Sequence, residues 1–447
     1  MNFLEQFARN LERNRVTRRQ ALWLIGASTV GASLSGCATS PVTGESILVG
    51  MSEADERSID AKVSPHQFSQ DLGAVQDPAI NRYLSDLGNR LDDSTHRPTM
   101  PYSYRALNAN YLNAYTFPGG AMGVTRGIMV ELDNEAELAA LLGHELGHVN
   151  ARHAAQQQGK SLVAQVAVAG LNIAASDSNW ASVIGMGSQL GASALLSSYS
   201  RDNEREADAL GQEYMVRGGY PASGMVKLQQ LLVDQEKEEP SLLQTMFSTH
   251  PMSRERRDTA QQLADTRYAA TKGRSPQRER FMDNTASLRK IKPTIDDLKH
   301  GETAMAKKDY RAAETKFESA VKRTPEDYAA NLRMAQCLQA TGQGKEAFNY
   351  ADNARRIYPQ EAQAHKVSGV IALEQRDPAA ALQRLEQYDR LLPGDPGVTF
   401  LKGVSLEAMG NRQAAARQYN TFLRLSPQGG AAQQFAYSRL RGWGYLR

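Results

Sequence analysis

In Leu141-Leu142-Gly143-His144-Glu145-Leu146-Gly147-His148, two histidines stand four residues apart with a glutamate directly after the first. On a helix, positions i and i+4 lie one turn apart on one face, so both imidazoles can grip one metal ion. Glu145 lies about 100° round the helix from His144, near enough to reach a metal-bound water and not the metal. That is the ligand-plus-base arrangement of a zinc hydrolase. The run from Leu132 to Gly143 suits a helix that carries it. Asp133 or Asn134 can cap the N-terminus, and Glu135 and Glu137 are favourable in the first turn. Leu138, Leu141, Leu142, Glu145 and His148 keep helical spacing, which predicts an amphipathic helix with Leu packed underneath. Gly143 and Gly147 are poor helix formers, and their expected value is room for a second backbone or a substrate.

A catalytic zinc site takes three protein ligands and leaves one position open. His153 comes five residues after His148, off the ligand face of a continuing helix. It is either a support for the site or a surface histidine. Ser200 to Asp208 offers Glu204 and Asp208 at i and i+4. One carboxylate can then reach the metal while the other orients a ligand histidine through its free ring nitrogen.

Ser200-Arg201-x-x-Glu204-x-x-Ala207-Asp208 after His144-Glu145-x-x-His148 resembles the zinc metallopeptidase family of the CAAX prenyl proteases and HtpX. Asn113-Ala114-Tyr115 through Pro118-Gly119-Gly120, Val124-Thr125-Arg126-Gly127, and Ser248-Thr249-His250-Pro251 with Arg256 beyond are similar to that family too. The resemblance covers roughly residues 41 to 265. It implies one Zn2+ per chain held by His144, His148 and Glu204, with Glu145 as general base and Asp208 bracing a ligand histidine. It also implies that His250 lies near the metal, either donating to the oxyanion or filling the open position and keeping the enzyme latent. Ala121, Met122 and Gly123 read as a short strand. The resemblance puts it along the cleft edge, where an extended substrate adds itself through backbone hydrogen bonds.

Before these motifs, Arg9, Arg13, Arg15, Arg18 and Arg19 precede an apolar stretch from Ala21 to Leu34 that is short for a permanent span. Thr17-Arg18-Arg19 resembles a twin-arginine export signal, and Leu34-Ser35-Gly36-Cys37 a bacterial lipobox. The expectation is a periplasmic protein anchored to the outer membrane by lipidated Cys37, with an uncleaved signal anchor as the alternative. Cys337 is the only other cysteine, so no disulfide framework is expected. Lys+Arg 52 against Asp+Glu 49 gives a net charge of +3, much of it in the first segment, and nothing points to nucleic acid. Leu162 to Ala175 and Val183 to Leu196 are rich in small and apolar residues. They are short and interrupted by Asn172, Asp177, Asn179 and Gln189, which predicts close-packed or site-covering helices and not membrane spans.

Further on a period appears. Pro325, Pro359, Pro393 and Pro427 recur every 34 residues, as do Ala313, Ala347, Ala381 and Ala415, and Ala320, Ala354, Tyr388 and Phe422. A period of about 34 with this Ala and Pro placement is the tetratricopeptide signature. Small alanines let paired helices approach, and proline stops the second helix of each pair. Such a solenoid either binds partners on its concave face or packs against the protease and shapes access to it. Tyr310, Asn331, His365 and Arg376 are candidates near that face.

The expected fold is mainly α, with an α+β HExxH zinc metallopeptidase domain carrying a small sheet, then an α-solenoid of tetratricopeptide repeats. The expected boundaries are 1–36 export signal, 37–60 lipidated linker, 61–265 metallopeptidase domain, 266–290 linker or connecting helix, 291–430 repeats and 431–447 C-terminal cap. This pairing is similar to the periplasmic beta-barrel assembly-enhancing type of Gram-negative bacteria, from which the lipobox departs. The resemblance implies a zinc endopeptidase acting on unfolded or misassembled outer-membrane proteins, its repeats docking substrates or assembly machinery. A chaperone-like assembly factor with latent proteolysis is the alternative.

Overall fold

The computed structural model describes residues 37–168, 199–238, 250, 254–426 and 430–446. Residues 1–36, expected as an export signal, Pro427 and most of the two small-residue runs lie outside the described residues. Residues 37–60, expected as a linker, are instead part of the domain. Strands β1 (Cys37–Thr39) and β2 (Ser46–Leu48) form an antiparallel hairpin, and helix α1 (Glu53–Gln70) starts from a Ser52–Asp55 capping box. Glu56 is buried and accepts from Arg97 (2.7 Å) and Arg152 (2.8 Å). A buried carboxylate needs such partners, and they tie the segment down.

Helix α2 (Pro78–Asp92) lays Ile80, Leu84, Leu87 and Leu91 into the main core. The sheet beside it has three strands, β3 (Ser103–Leu107), β4 (Ala114–Thr116) and β5 (Ala121–Thr125), in the order β3-β5-β4. Strand β5 is parallel to β3 and antiparallel to β4, and a short helix α3 (Arg126–Met129) leaves its end. Helix α4 (Glu135–Asn150) carries the histidine pair and is capped by Asn134, whose side chain accepts from the Glu137 N–H. The expected amphipathic helix is buried on every side: all 16 of its residues are covered. It lies between α2, the sheet, α6 (Arg201–Arg217) and α7 (Ser223–Glu238), with α5 (His153–Val168) following it and α8 (Arg254–Asp265) beyond. A helix covered all round is a core element, and its Gly, Ala and Leu content suits that place.

Residues 266–290 are also more than a connection. Helices α9 (Arg278–Asn284) and α10 (Ala286–Lys290) put Phe281 and Leu288 into the same core as Leu138 and Ile128. Arg280 donates to Glu135, which is fully buried at the start of α4.

The repeats form four helix pairs. These are α11 (Lys292–Ala306) with α12 (Tyr310–Arg323), α13 (Tyr328–Ala340) with α14 (Gly344–Ile357), α15 (Ala362–Glu374) with α16 (Pro378–Leu391), and α17 (Pro396–Ala408) with α18 (Arg412–Leu425). Helix α19 (Ala431–Gly442) covers the end. Ala313, Ala320, Ala347, Ala354, Ala381 and Ala415 are fully buried where helices meet. The turn within each pair takes a left-handed residue at Lys308, Gly342, Arg376 and Gly410, again 34 apart. Arg376 is therefore a turn residue. Asn331 donates to the carbonyls of Pro325 and Asp327, and His365 lies 3.3 Å from the Pro359 carbonyl, so both hold the array's own loops.

The first helices of the first three pairs face the N-terminal domain. Arg126, 2% exposed, makes a bidentate pair with Asp327 (2.6 and 3.1 Å) and also donates to Asn110. Ser69 donates to Glu361, which also accepts from Tyr328 (2.5 Å), and Lys299 reaches Glu131 (2.9 Å). The N-terminal domain thus covers this part of the array that the spacing left open to peptides. Among the described residues, no helix is long and apolar enough to cross a membrane.

Candidate metal centre

The site depends on two helices touching backbone to backbone. A Cβ on Gly147 would lie 2.7 Å from the Ala207 carbonyl oxygen, and one on Gly143 would lie 2.7 Å from that of Gly211. The room these glycines leave is taken by α6, and this contact brings Glu204 and Asp208 over the histidine face of α4.

His144, His148, Glu204 and His250 then converge, with one ligand atom from each lying within 4.8 Å of all the others. The Nε2 atoms of His144 and His148 are 3.1 Å apart. His250 Nδ1 lies 3.3 Å from His144 Nε2 and 3.1 Å from Glu204 Oε1. Glu204 oxygens lie 3.4 Å from His148 Nε2 and 3.5 Å from His144 Nε2. Nitrogen ligands about 2.0–2.1 Å from a tetrahedral zinc stand roughly 3.3–3.4 Å apart, so the donor set fits such an ion. Glu145, also buried, has Oε1 3.7 Å from His250 Nε2. Its Oε2 has no hydrogen-bond partner among the described residues. That is a costly arrangement for a carboxylate unless something else occupies the site.

Asp208 Oδ1 lies 3.0 Å from Nδ1 of His144, one of the two histidines expected as ligands. Arg256 clamps both acids, reaching Asp208 at 2.6 and 2.8 Å and Glu204 at 2.8 Å. Burial alone would push the Glu204 carboxyl up, but His250 and the contacts from His148 and His250 hold it well below the usual range. Burial would likewise push the Asp208 carboxyl up, but Arg256 and His144 together hold it below the usual range. Burial raises Glu145 and lowers His148 and His153.

His153 is fully buried and lies on the site, with its Nδ1 2.9 Å from His148 Nδ1. Helix α4 ends at Asn150, and Arg152 turns the chain with φ of 57°. The helical phase that put His153 off the ligand face therefore does not apply. Tyr199 was missed by the sequence reading: its ring stacks on His148 at 4.0 Å and 22°. A tyrosine just before a helix cap carries no motif that could have revealed it. Arg256 was noted only within the resemblance, without a task.

The substrate strand needs correction. Ala121, Met122 and Gly123 lie in β5, whose two edges are already paired with β3 and β4. A central strand has no free N–H or C=O row to offer a substrate. The edge strand nearest α4 is β4. Its last residue, Thr116, and the following Phe117 and Pro118 share a small cleft with His148 and Tyr199. Behind it, Asp60 accepts from the N–H groups of Gly119 and Ala121, both at 2.8 Å, and holds the Pro118–Gly120 turn. Cys37 is exposed at the start of β1 and Cys337 is buried; neither is in a disulfide.

Residues 78–264 match the model of peptidase family M48, and residues 304–369 match a tetratricopeptide repeat model. The Beta-barrel assembly-enhancing protease of Yersinia pestis is 29% identical over 261 residues, 56% of this chain and 53% of that protein. The Putative beta-barrel assembly-enhancing protease of Vibrio cholerae is 31% identical over 189 residues, 41% of this chain and 38% of its own length. Metalloprotease YcaL of Escherichia coli K12 is 26% identical over 255 residues, 54% of this chain and 95% of that protein. The chain thus spans about half or less of the first two relatives. It carries a peptidase family M48 domain followed by C-terminal tetratricopeptide repeats.

Proposed function

We propose that this chain is a zinc-dependent endopeptidase of the bacterial periplasm that degrades misfolded or misassembled outer-membrane proteins. The observation that carries the reading is the pair of imidazole Nε2 atoms facing each other at 3.1 Å beside two buried carboxylates. A cation among the four converging donors would satisfy both imidazole lone pairs and the Glu204 carboxylate at once. His144, His148 and Glu204 would hold one zinc ion, and Asp208 with Arg256 would keep His144 and Glu204 aimed. When bound, zinc lowers the pKa of a water to ~7 and polarises a carbonyl oxygen. Glu145 takes the proton of the attacking water and returns it to the leaving amide nitrogen. A substrate added to β4 would lie antiparallel or parallel to it through backbone bonds, which tolerates many side chains.

His250 sits among the ligand atoms, which supports its holding the fourth position at rest. Once displaced, its ring can donate to the developing oxyanion. Such latency also favours the second reading, a chaperone-like assembly factor with rare proteolysis. Docking of substrates or assembly machinery by the repeats, and anchoring to the outer membrane through lipidated Cys37, complete the proposal. The names of the relatives support the first and the lipobox pattern supports the second.

Metal analysis with casein hydrolysis tests the reaction class. Both should vanish with a chelator and return with zinc. Glu145→Gln should keep the metal and lose cleavage by at least about 100-fold, the size of a general-base contribution. Cleavage near the wild-type rate in that variant would remove Glu145 from its role. Full support of outer-membrane integrity in cells by the same variant would favour the assembly-factor reading.

A further inference from the structure

We propose that Glu206 and His153 form a relay that sets the tautomer and ring orientation of His148, making both of them positioning residues for the metal. The proposal rests on the metal-site reading above. His153 Nε2 lies 3.1 Å from Glu206 Oε2. An ionised carboxylate only accepts, so the proton of this bond is on His153 Nε2. That leaves the His153 Nδ1 lone pair pointing at His148 Nδ1, 2.9 Å away. His148 must then carry its own proton on Nδ1, and its Nε2 is bare and turned to Glu204 and His144.

His144 is served by one carboxylate directly, at 3.0 Å from its Nδ1. For His148 the same result takes two steps, carboxylate to imidazole to imidazole. Helix α6 supplies all three acids: Glu204 to the metal position, Asp208 to His144 and Glu206 to His153. The fold invests in the relay elsewhere as well. Arg152, in its left-handed turn, is held by Glu56 and by the Met51 carbonyl (2.8 and 3.0 Å), and this turn places His153 beneath His148. Tyr199 stacks on one face of the His148 ring while His153 meets its Nδ1 edge. Both contacts oppose a ring flip that would offer Nδ1 to the metal.

The test uses the full chain stripped of metal, with zinc affinity measured by competition against a chromophoric chelator. His153→Phe keeps a buried ring without an acceptor and should weaken zinc binding about 10- to 100-fold. His153→Asn places an amide oxygen where Nδ1 stood and should recover most of that loss, to within about fivefold of wild type. Glu206→Ala, at a side chain one-third exposed, should fall between them. Nitrogen-15 spectra of the histidine-labelled apoprotein should show His148 as the Nδ1–H tautomer in wild type and as a mixture in His153→Phe. Zinc affinity of His153→Phe or Glu206→Ala equal to wild type overturns the relay. If His153→Phe fails to fold, Glu206→Ala and its spectrum decide alone. A wild-type chain that takes up no zinc defeats the metal-site reading, and the relay with it, a result distinct from unequal variants of a zinc-binding protein.

Discussion

Gly147→Ala puts one methyl group where α4 and α6 touch. The new Cβ would lie 2.7 Å from the Ala207 carbonyl oxygen and 2.9 Å from its Cα, both backbone atoms of a packed helix. Ordinary contact begins near 3.4 Å, so α6 must retreat by roughly 0.7 Å. Overpacking of this kind costs about 1–3 kcal/mol, and the higher helix propensity of Ala over Gly returns about 1 kcal/mol. The net loss of stability is therefore small, about 0–2 kcal/mol, and the protein should fold. The larger effect falls on the site. Glu204 and Asp208 ride on α6 and would be displaced from His144 and His148 by a comparable distance. Misplacement of about 1 Å costs up to ~100-fold in rate, so zinc affinity and casein hydrolysis should each fall about 10- to 100-fold. Gly442→Ala, with nothing within 4 Å of the added Cβ, serves as the control and should change neither. Urea unfolding, chelator competition and casein hydrolysis on both variants read the outcome. Wild-type zinc affinity and activity in Gly147→Ala would refute the argument that this glycine contact sets the ligand geometry.

Two further perturbations address the scaffold. Asp327→Asn keeps the cap on α13, since Asn caps as well as Asp, but leaves the buried Arg126 guanidinium without its counter-charge. About 2–4 kcal/mol should be lost in urea unfolding, and a loss under about 0.5 kcal/mol would mean the pair does not join the array to the protease. Burial raises the Asp60 carboxyl from 3.8 to about 6. The folded protein then takes up this proton before the unfolded chain does, so the Asp60 contribution to stability rises as pH falls from about 6 to 3.8 and is level outside that window. Asp60→Asn should remove roughly 1–3 kcal/mol of pH dependence there, read as the wild-type minus variant difference in urea midpoints, and an unchanged difference between pH 7 and 4 would sink the assignment.

The parts legible in the chain were those set by local geometry. His144, Glu145 and His148 are related by one helical turn, and Glu204 and Asp208 by another, so their faces follow from spacing alone. The 34-residue period likewise states a repeated packing requirement, one alanine contact per helix pair, whatever surrounds it. Other features depend on what a segment meets from a distance. His153 reaches His148 only because α4 stops at Asn150 and Arg152 reverses the chain. Strand β5 lies at the centre of the sheet because β3, earlier in the chain, pairs with its far side. Residues 266–290 and 37–60 look like polar connectors, yet their few apolar or charged side chains find buried partners. The repeat surface that spacing left available is covered by the protease through Arg126–Asp327 and Ser69–Glu361. Sequence thus determined which imidazoles and carboxylates share a helix face, and the period, because bond geometry within a turn fixes them. Only the tertiary structure decided which edges, grooves and ring nitrogens remain free, because that depends on which distant backbone occupies the space.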